Sequence, residues 1–204
     1  HSNSTMPKDL AGAVANLYAE GGFRTADGTP PFPVAGGQGL GGSTLVNSAI
    51  CFSTPETTLA DWADKTDGLF ADVETWRTRQ QIIKKVMRVT RTPDRLLSGN
   101  DRVHKSAAIH LGWKHEHIHR NTPFCAGCGR CNSGCWVSGK NSVDHEILPR
   151  AVKAGAKIFS GVRVEHISSK GITATIVAQD GTEMGSFSCA ADIIIMAAGT
   201  ISTP

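Results

Sequence analysis

Charge of one sign, aromatic side chains and long apolar runs are all scarce in this chain. Its formal net charge is +3 over 204 residues, too weak a field to argue for nucleic acid or an anionic membrane as partner. Aromatics make up 6% of the sequence. The longest apolar run, Ile193 to Ala198, is far short of a membrane span. No basic segment followed by an apolar stretch opens the sequence, so no signal-peptide pattern is visible and the compartment stays open. Internal repeats and low-complexity segments are absent. What is present is the composition of a globular protein, with 40% hydrophobic residues and 22 glycines, enough chain for one sizeable core or two small ones.

The glycines matter most between Gly39 and Asn47, in the run GLGGSTLVN. Glycine lets a backbone turn tightly and approach a ligand without side-chain interference. Ser43, Thr44 and Asn47 add polar groups, and Leu45 and Val46 an apolar face. Such a turn, opening a helix, offers N–H groups to a phosphate or an electron-rich ring edge. Gly37, Gly39 and Gly42 also satisfy G-x-G-x-x-G, but that dinucleotide fingerprint needs a buried strand before it. The residues before it are Pro30, Pro31, Phe32, Pro33 and Val34, and proline cannot donate to a central ladder. The fingerprint is therefore rejected.

Helical spacing is expected over Pro7–Glu20, with Leu10, Val14 and Leu17 on one face, and loop from Gly28 to Gly42. The apolar pattern predicts a short helix over Ser43–Phe52, a long amphipathic one over Asp72–Val89, and others over Asp101–Leu111 and Ser142–Ala154. Thr122–Lys140 has no periodicity and holds four cysteines. Alternation predicts strands at Lys157–Ser160, Val162–Ser168, Ile172–Ala178, Met184–Cys189 and Asp192–Ala197, with Asp180-Gly181 as a hairpin turn. Cys51 and Cys189 read as small core hydrophobes in a helix and a strand. His115, His117 and His119 share one face if extended, which is either a metal site or a strand of solvated histidines. His145 and His166 read as structural.

Three stretches carry a family resemblance. GLGGSTLVN resembles a flavin-binding signature of the glucose–methanol–choline (GMC) family of FAD-dependent alcohol oxidoreductases. GAKIFSGVRVEHI, Gly155 to Ile167, is similar to that family's strand pair beside the FAD adenine, and DIIIMAAGTISTP, Asp192 to Pro204, to a strand and glycine turn directed at the cofactor. The resemblance implies an α/β fold: a partial FAD-binding domain with part of a substrate-binding cap. The implied portions are 1–60 with the flavin loop, 61–150 as cap with the cysteine-rich loop, and 151–204 as FAD-domain strands. It implies flavin contacts from Gly41, Gly42, Ser43, Asn47 and Ser48, adenine contact from Val164, and further contacts from Ala198 and Gly199. Many family members carry glycine where Ser48 stands. The implied reaction takes an alcohol or sugar to a carbonyl by hydride transfer to flavin. An internal portion of a longer protein is expected, with the catalytic base outside the chain, so the catalytic residues are unknown.

Cys125, Cys128, Cys131 and Cys135 are spaced C-x2-C-x2-C-x3-C, the bacterial ferredoxin run with Trp136 in place of the usual proline. Three readings stand open: an iron–sulfur relay, a zinc site, and a structural loop of thiols or disulfides. NTPFCAGCGRCNSGCWVSGKNS is similar to a cysteine-rich loop of some GMC subgroups. In the catalytic subunits of bacterial FAD-dependent glucose dehydrogenases it implies an iron–sulfur cluster serving a cytochrome subunit. In long-chain alcohol oxidases a similar stretch need not bind iron. With iron the expected enzyme is a dehydrogenase; without it an oxidase using O₂ is equally open. The rival from another class is a metal-binding electron-transfer or structural module with no catalysis of its own, and a second rival is an inert remnant.

Overall fold

The computed structural model describes residues 6–203. It divides into two compact units, His1–Ala156 and Lys157–Pro204. All strand pairings among the described residues are antiparallel, so the fold is a mixture of helices and antiparallel strands. No helix among the described residues is long and apolar enough to cross a membrane.

In the first unit α1 spans Leu10–Leu17 and starts where the Asp9 carboxylate accepts the Gly12 N–H at 2.7 Å, leaving one fewer orphan donor in the first turn. Ala13 and Leu17 are buried while Leu10 stays exposed, so the buried stripe is narrower than the expected one. β1 (Thr25–Ala26) and β2 (Phe32–Pro33) form a short exposed ribbon. No buried strand precedes the G-x-G-x-x-G coincidence. The expected helix over Ser43–Phe52 is replaced by a single 3₁₀ turn, Gly42–Leu45. The reason lies at Ala49, which takes a left-handed φ of 61° that breaks any helix. Its N–H is held at 3.1 Å by Asn47 Oδ1.

α2 (Glu56–Lys65) follows, then α3 (Val73–Val86), capped by Asp72 through the Thr75 N–H. Trp62, Phe70 and Trp76 tie these helices by edge contacts, with centroids 5.1 to 6.2 Å apart. α4 (Gly99–His110) opens on a capping box between Ser98 and Asp101. Two-residue strands β3 (Thr90–Arg91) and β4 (His119–Arg120) pair on either side of it, and Ile50 bridges to Arg120. α5 (Val143–Lys153) completes the unit. The core is Met6, Ala13, Leu17, Leu45 and Val46. The apolar pair of the glycine run is thus buried against α1, with the polar members of the run left toward solvent.

The second unit is an antiparallel meander of β5 (Val162–Ser168), β6 (Gly171–Val177) and β7 (Glu183–Ala190). Asp180 and Gly181 form the expected turn, with Gly181 at φ 86° and the Thr182 N–H on Asp180 Oδ1. The strands expected at Lys157–Ser160 and Asp192–Ala197 are absent. Ile193 and Ile195 are 82% and 84% exposed, and no described strand pairs with them. A buried-strand pattern becomes a strand only when a neighbour accepts its ladder.

Candidate functional site

The glycine run sets up its own geometry by close approach. A Cβ on Gly37 would stand 2.5 Å from the Gly42 carbonyl oxygen and 2.6 Å from Ser43 Cα, so only glycine fits. That approach lets the Gly37 N–H reach Ser43 Oγ at 2.9 Å. Gly41, at φ 102°, starts the 3₁₀ turn and packs on Asp144, whose backbone and side chain lie 3.2 Å from where a Cβ would be. Thr44 Oγ1 donates to the Gly41 carbonyl at 2.6 Å and accepts the Val143 N–H at 3.2 Å, fixing the run to the start of α5. Nothing lies within 4 Å of a Cβ position on Gly42. The turn therefore presents open, bare backbone at one point and is braced everywhere else. This is a cradle a planar or phosphate-bearing cofactor fits.

Asn47 and Ser48 are exposed beside it. Ser48 Oγ donates to Asn132 Oδ1 at 2.8 Å, and the Ser48 carbonyl accepts from Arg120 Nε and a terminal nitrogen at 3.3 and 3.0 Å. Next to Asn47 opens a cavity of about 500 Å³ with Thr44 at its polar margin. Its wall includes Ile50, Phe52, Trp76, Ile83, Met87 and Val89, and polar groups come from Thr44, Asn47, Arg79, Gln80, Lys84 and Asn121. Val164, Ala198 and Gly199 belong to the second unit. Val164 is half exposed on β5 opposite Ala174. Ala198 and Gly199 are exposed outside any strand. Gly199 takes φ 92°, and its carbonyl accepts the Thr203 N–H.

The four cysteines all border one cavity of about 300 Å³, yet they do not gather as ligands. Among the described residues no group of three or more His, Cys, Asp or Glu is placed to hold a metal ion. Cys135 Sγ accepts the N–H groups of Gly139 and Lys140, each at 3.2 Å. Cys131 Sγ accepts from Arg120 at 2.8 Å, and Cys125 Sγ from the Gly127 N–H at 3.4 Å. Cys128 is exposed, and all four are free thiols. Three of the four sulfurs accept hydrogen bonds, and Cys125, Cys128, Cys131 and Cys135 are not brought together as ligands of an iron–sulfur cluster or a zinc ion. The structural reading of the loop is the one its geometry carries.

The other sequence candidates also shift. Cys51 is half-buried outside any helix, and burial pushes its thiol up; Cys189 is exposed on β7. His115 and His119 are exposed, but His117 is buried rather than solvated. Its Nδ1 lies 2.7 Å from the Thr92 carbonyl, which can only accept, and Nε2 lies 3.4 Å from Asp94. The largest omission of sequence reasoning is Lys140, 1% exposed. Its ammonium donates to the carbonyls of Leu45, Cys131 and Asn47 at 2.7, 3.0 and 3.1 Å. Burial pushes its pKa down, against upward pulls from Cys131, Cys135 and Asp144.

A braced glycine turn thus lies beside a cavity, an arrangement open to a small-molecule ligand. Comparison places it further: residues 14–204 match the GMC oxidoreductase family, and the chain belongs to that family. It is similar to an uncharacterized GMC-type oxidoreductase of Mycobacterium tuberculosis, 34% identical over 201 residues, 98% of this chain and 32% of the relative. A long-chain-alcohol oxidase of Arabidopsis thaliana is 32% identical over 151 residues, 73% of this chain and 20% of the relative. An uncharacterized GMC-type oxidoreductase of Sinorhizobium fredii is 29% identical over 199 residues, 94% of this chain and 39% of the relative. The chain thus spans about a third of the first of these relatives. Family membership brings FAD as the implied cofactor.

Proposed function

We propose that this chain supplies a flavin-facing portion of an FAD-dependent oxidoreductase acting on the CH–OH group of an alcohol or sugar. The observation that carries it is the open backbone at Gly42, held by the Gly37 approach on one side and by Asp144 and Thr44 on the other. When bound, the flavin takes up a hydride from the donor carbon. Gly41, Gly42 and Ser43 lie against it. Asn47 and Ser48 face its polar edge, where donors aimed at developing charge favour reaction. The family resemblance also assigns cofactor contacts to Val164, Ala198 and Gly199. Portion 61–150 lies on the substrate side, and the base that removes the hydroxyl proton lies outside these residues.

The apolar wall of the cavity beside Asn47 supports a donor with an apolar body, and similarity to a long-chain-alcohol oxidase supports the same choice. An iron–sulfur relay to a cytochrome subunit rests on cysteine spacing alone, and the positions of the thiols speak against it. The test is the absorption spectrum of the full-length protein, with flavin, iron and acid-labile sulfide measured on one sample. Stoichiometric flavin without iron is expected. A folded protein without flavin overturns the assignment, and stoichiometric iron and sulfide restore the relay.

A further inference from the structure

The cysteine loop grips the proposed flavin loop from behind. Lys140 uses all three ammonium donors on carbonyls, two of them, Leu45 and Asn47, on the flavin loop and the third on Cys131. Arg120 forks between the Ser48 carbonyl and Cys131 Sγ. Cys131 is thereby the node at which both cations meet the cysteine loop, through its carbonyl and its sulfur. Asn132 adds a neutral tie, accepting Ser48 Oγ on its side chain and the Tyr18 hydroxyl at 2.6 Å on its carbonyl. The loop is packed closely on α1 and on itself. A Cβ at Gly134 would sit 2.8 Å from Met6 Sδ and 2.9 Å from Leu17 Cδ1, and one at Gly139 would sit 2.7 Å from the Phe124 carbonyl.

We propose that Lys140 and Arg120 are positioning residues for the flavin, and that the cysteine loop exists in this chain to carry Lys140 to the flavin loop and to hold Arg120 of β4 there through Cys131. The proposal rests on the flavin reading above. The two cations set the backbone at Leu45, Asn47 and Ser48. Donation to a peptide carbonyl also polarises the peptide and strengthens the next N–H as a donor. The positive charge of Lys140, buried where water screens it little, favours the flavin state that carries more negative charge. The cysteines serve this arrangement as hydrogen-bond acceptors for backbone N–H groups and for Arg120.

The test uses the full-length protein as wild type, Lys140→Met, Lys140→Arg and Arg120→Gln, with three readouts. These are FAD affinity of the apo forms, the flavin midpoint potential, and amide hydrogen exchange across residues 45–49. Lys140→Met is expected to weaken FAD about tenfold or more. It is also expected to weaken the preference for reduced over oxidised flavin about tenfold, a shift of about 30 mV for two electrons. Lys140→Arg restores most of both, and Arg120→Gln gives a smaller shift in the same direction. Hydrogen exchange needs no flavin: a wild type that binds none sinks the flavin reading, while faster exchange at 45–49 in Lys140→Met still upholds the clamp. Wild-type exchange, affinity and potential in Lys140→Met overturn the proposal. Should that variant fail to fold, Arg120→Gln with wild-type values does so.

Discussion

Replacing Gly37 by alanine tests the glycine turn with one methyl group. The new Cβ would stand 2.5 Å from the Gly42 carbonyl oxygen, where ordinary contact begins at 3.4 Å. The obstacle is backbone and cannot rotate away, so the two sides of the turn must part by about 1 Å. The Gly37 N–H to Ser43 Oγ bond, now 2.9 Å, would then exceed hydrogen-bonding range. Overpacking of this kind costs about 1–3 kcal/mol, and a lost hydrogen bond adds about 0.5–1.5 kcal/mol. Because the displaced atoms belong to Gly42 and Ser43, the cost falls on the flavin-competent form of the turn. At about 1.4 kcal/mol per decade, FAD Kd rises roughly tenfold to about a thousandfold. The assay is fluorescence titration of FAD into the apo full-length protein. Gly99→Ala is the control: nothing lies within 4 Å of its Cβ position, and alanine at that helical site leaves Kd unchanged with equal or slightly higher stability. A Gly37→Ala protein that binds FAD within about twofold of wild type refutes the claim that this approach shapes the site.

Three further outcomes follow from the first unit and the thiols. Trp62→Ala removes edge contacts to Phe70 and Trp76 and is expected to lower stability by about 1–3 kcal/mol, at 0.5–1.5 per pair, read as a drop in denaturant midpoint; no drop sinks the pairing. Glu146 is held below the usual glutamate range, first by its hydrogen bond from Arg150 and also by the charges of Arg150 and Arg88. A carboxyl lowered on folding stabilises above its unfolded pKa, about 4.3, and the stabilisation fades as pH falls through the folded value. Glu146→Gln should therefore flatten the acid limb of the stability profile below about pH 4, and an unchanged limb counts against the pairing. Exposed Cys128 and Cys189 should react first with a thiol reagent and Cys51 last among the six, because burial raises its thiol; mass mapping of the labelled sites decides it.

Much of the fold was legible in the sequence because its signals are local. Asp72 and Ser98 stand at the starts of α3 and α4 with their caps made, and β5, β6 and β7 follow their alternation with Asp180-Gly181 between. α2 escaped because only Leu59 of its ten residues is buried; Pro55 before an acidic first turn and Lys65 in the last were the available cues. Asp192–Ala197 misled because an apolar run specifies burial and not a partner strand. The cysteine spacing left three readings open, since four thiols at ligand spacing say nothing of where their lone pairs are used. His117 looked like a member of a solvated row, and only the Thr92 carbonyl, 25 positions away, takes it inside.

The failed helix at Ser43–Phe52 and the overlooked Lys140 are one fact seen twice. In an α-helix the Leu45 carbonyl would be taken by the N–H of Ala49, four residues on. Here the Ala49 N–H goes to Asn47 Oδ1 instead, at the strain of a left-handed alanine, which costs on the order of 1 kcal/mol or more. That leaves the Leu45 and Asn47 carbonyls free for an ammonium 95 and 93 residues further along. A buried, unpaired lysine is prohibitive, so the unwound segment and the buried cation each need the other. Propensity counts only neighbours in sequence and reads a helix; the cation that forbids it sits in a loop with no periodicity at all. The same exchange leaves the turn extended and exposed at Asn47 and Ser48, which is the form in which those two residues can meet a ligand.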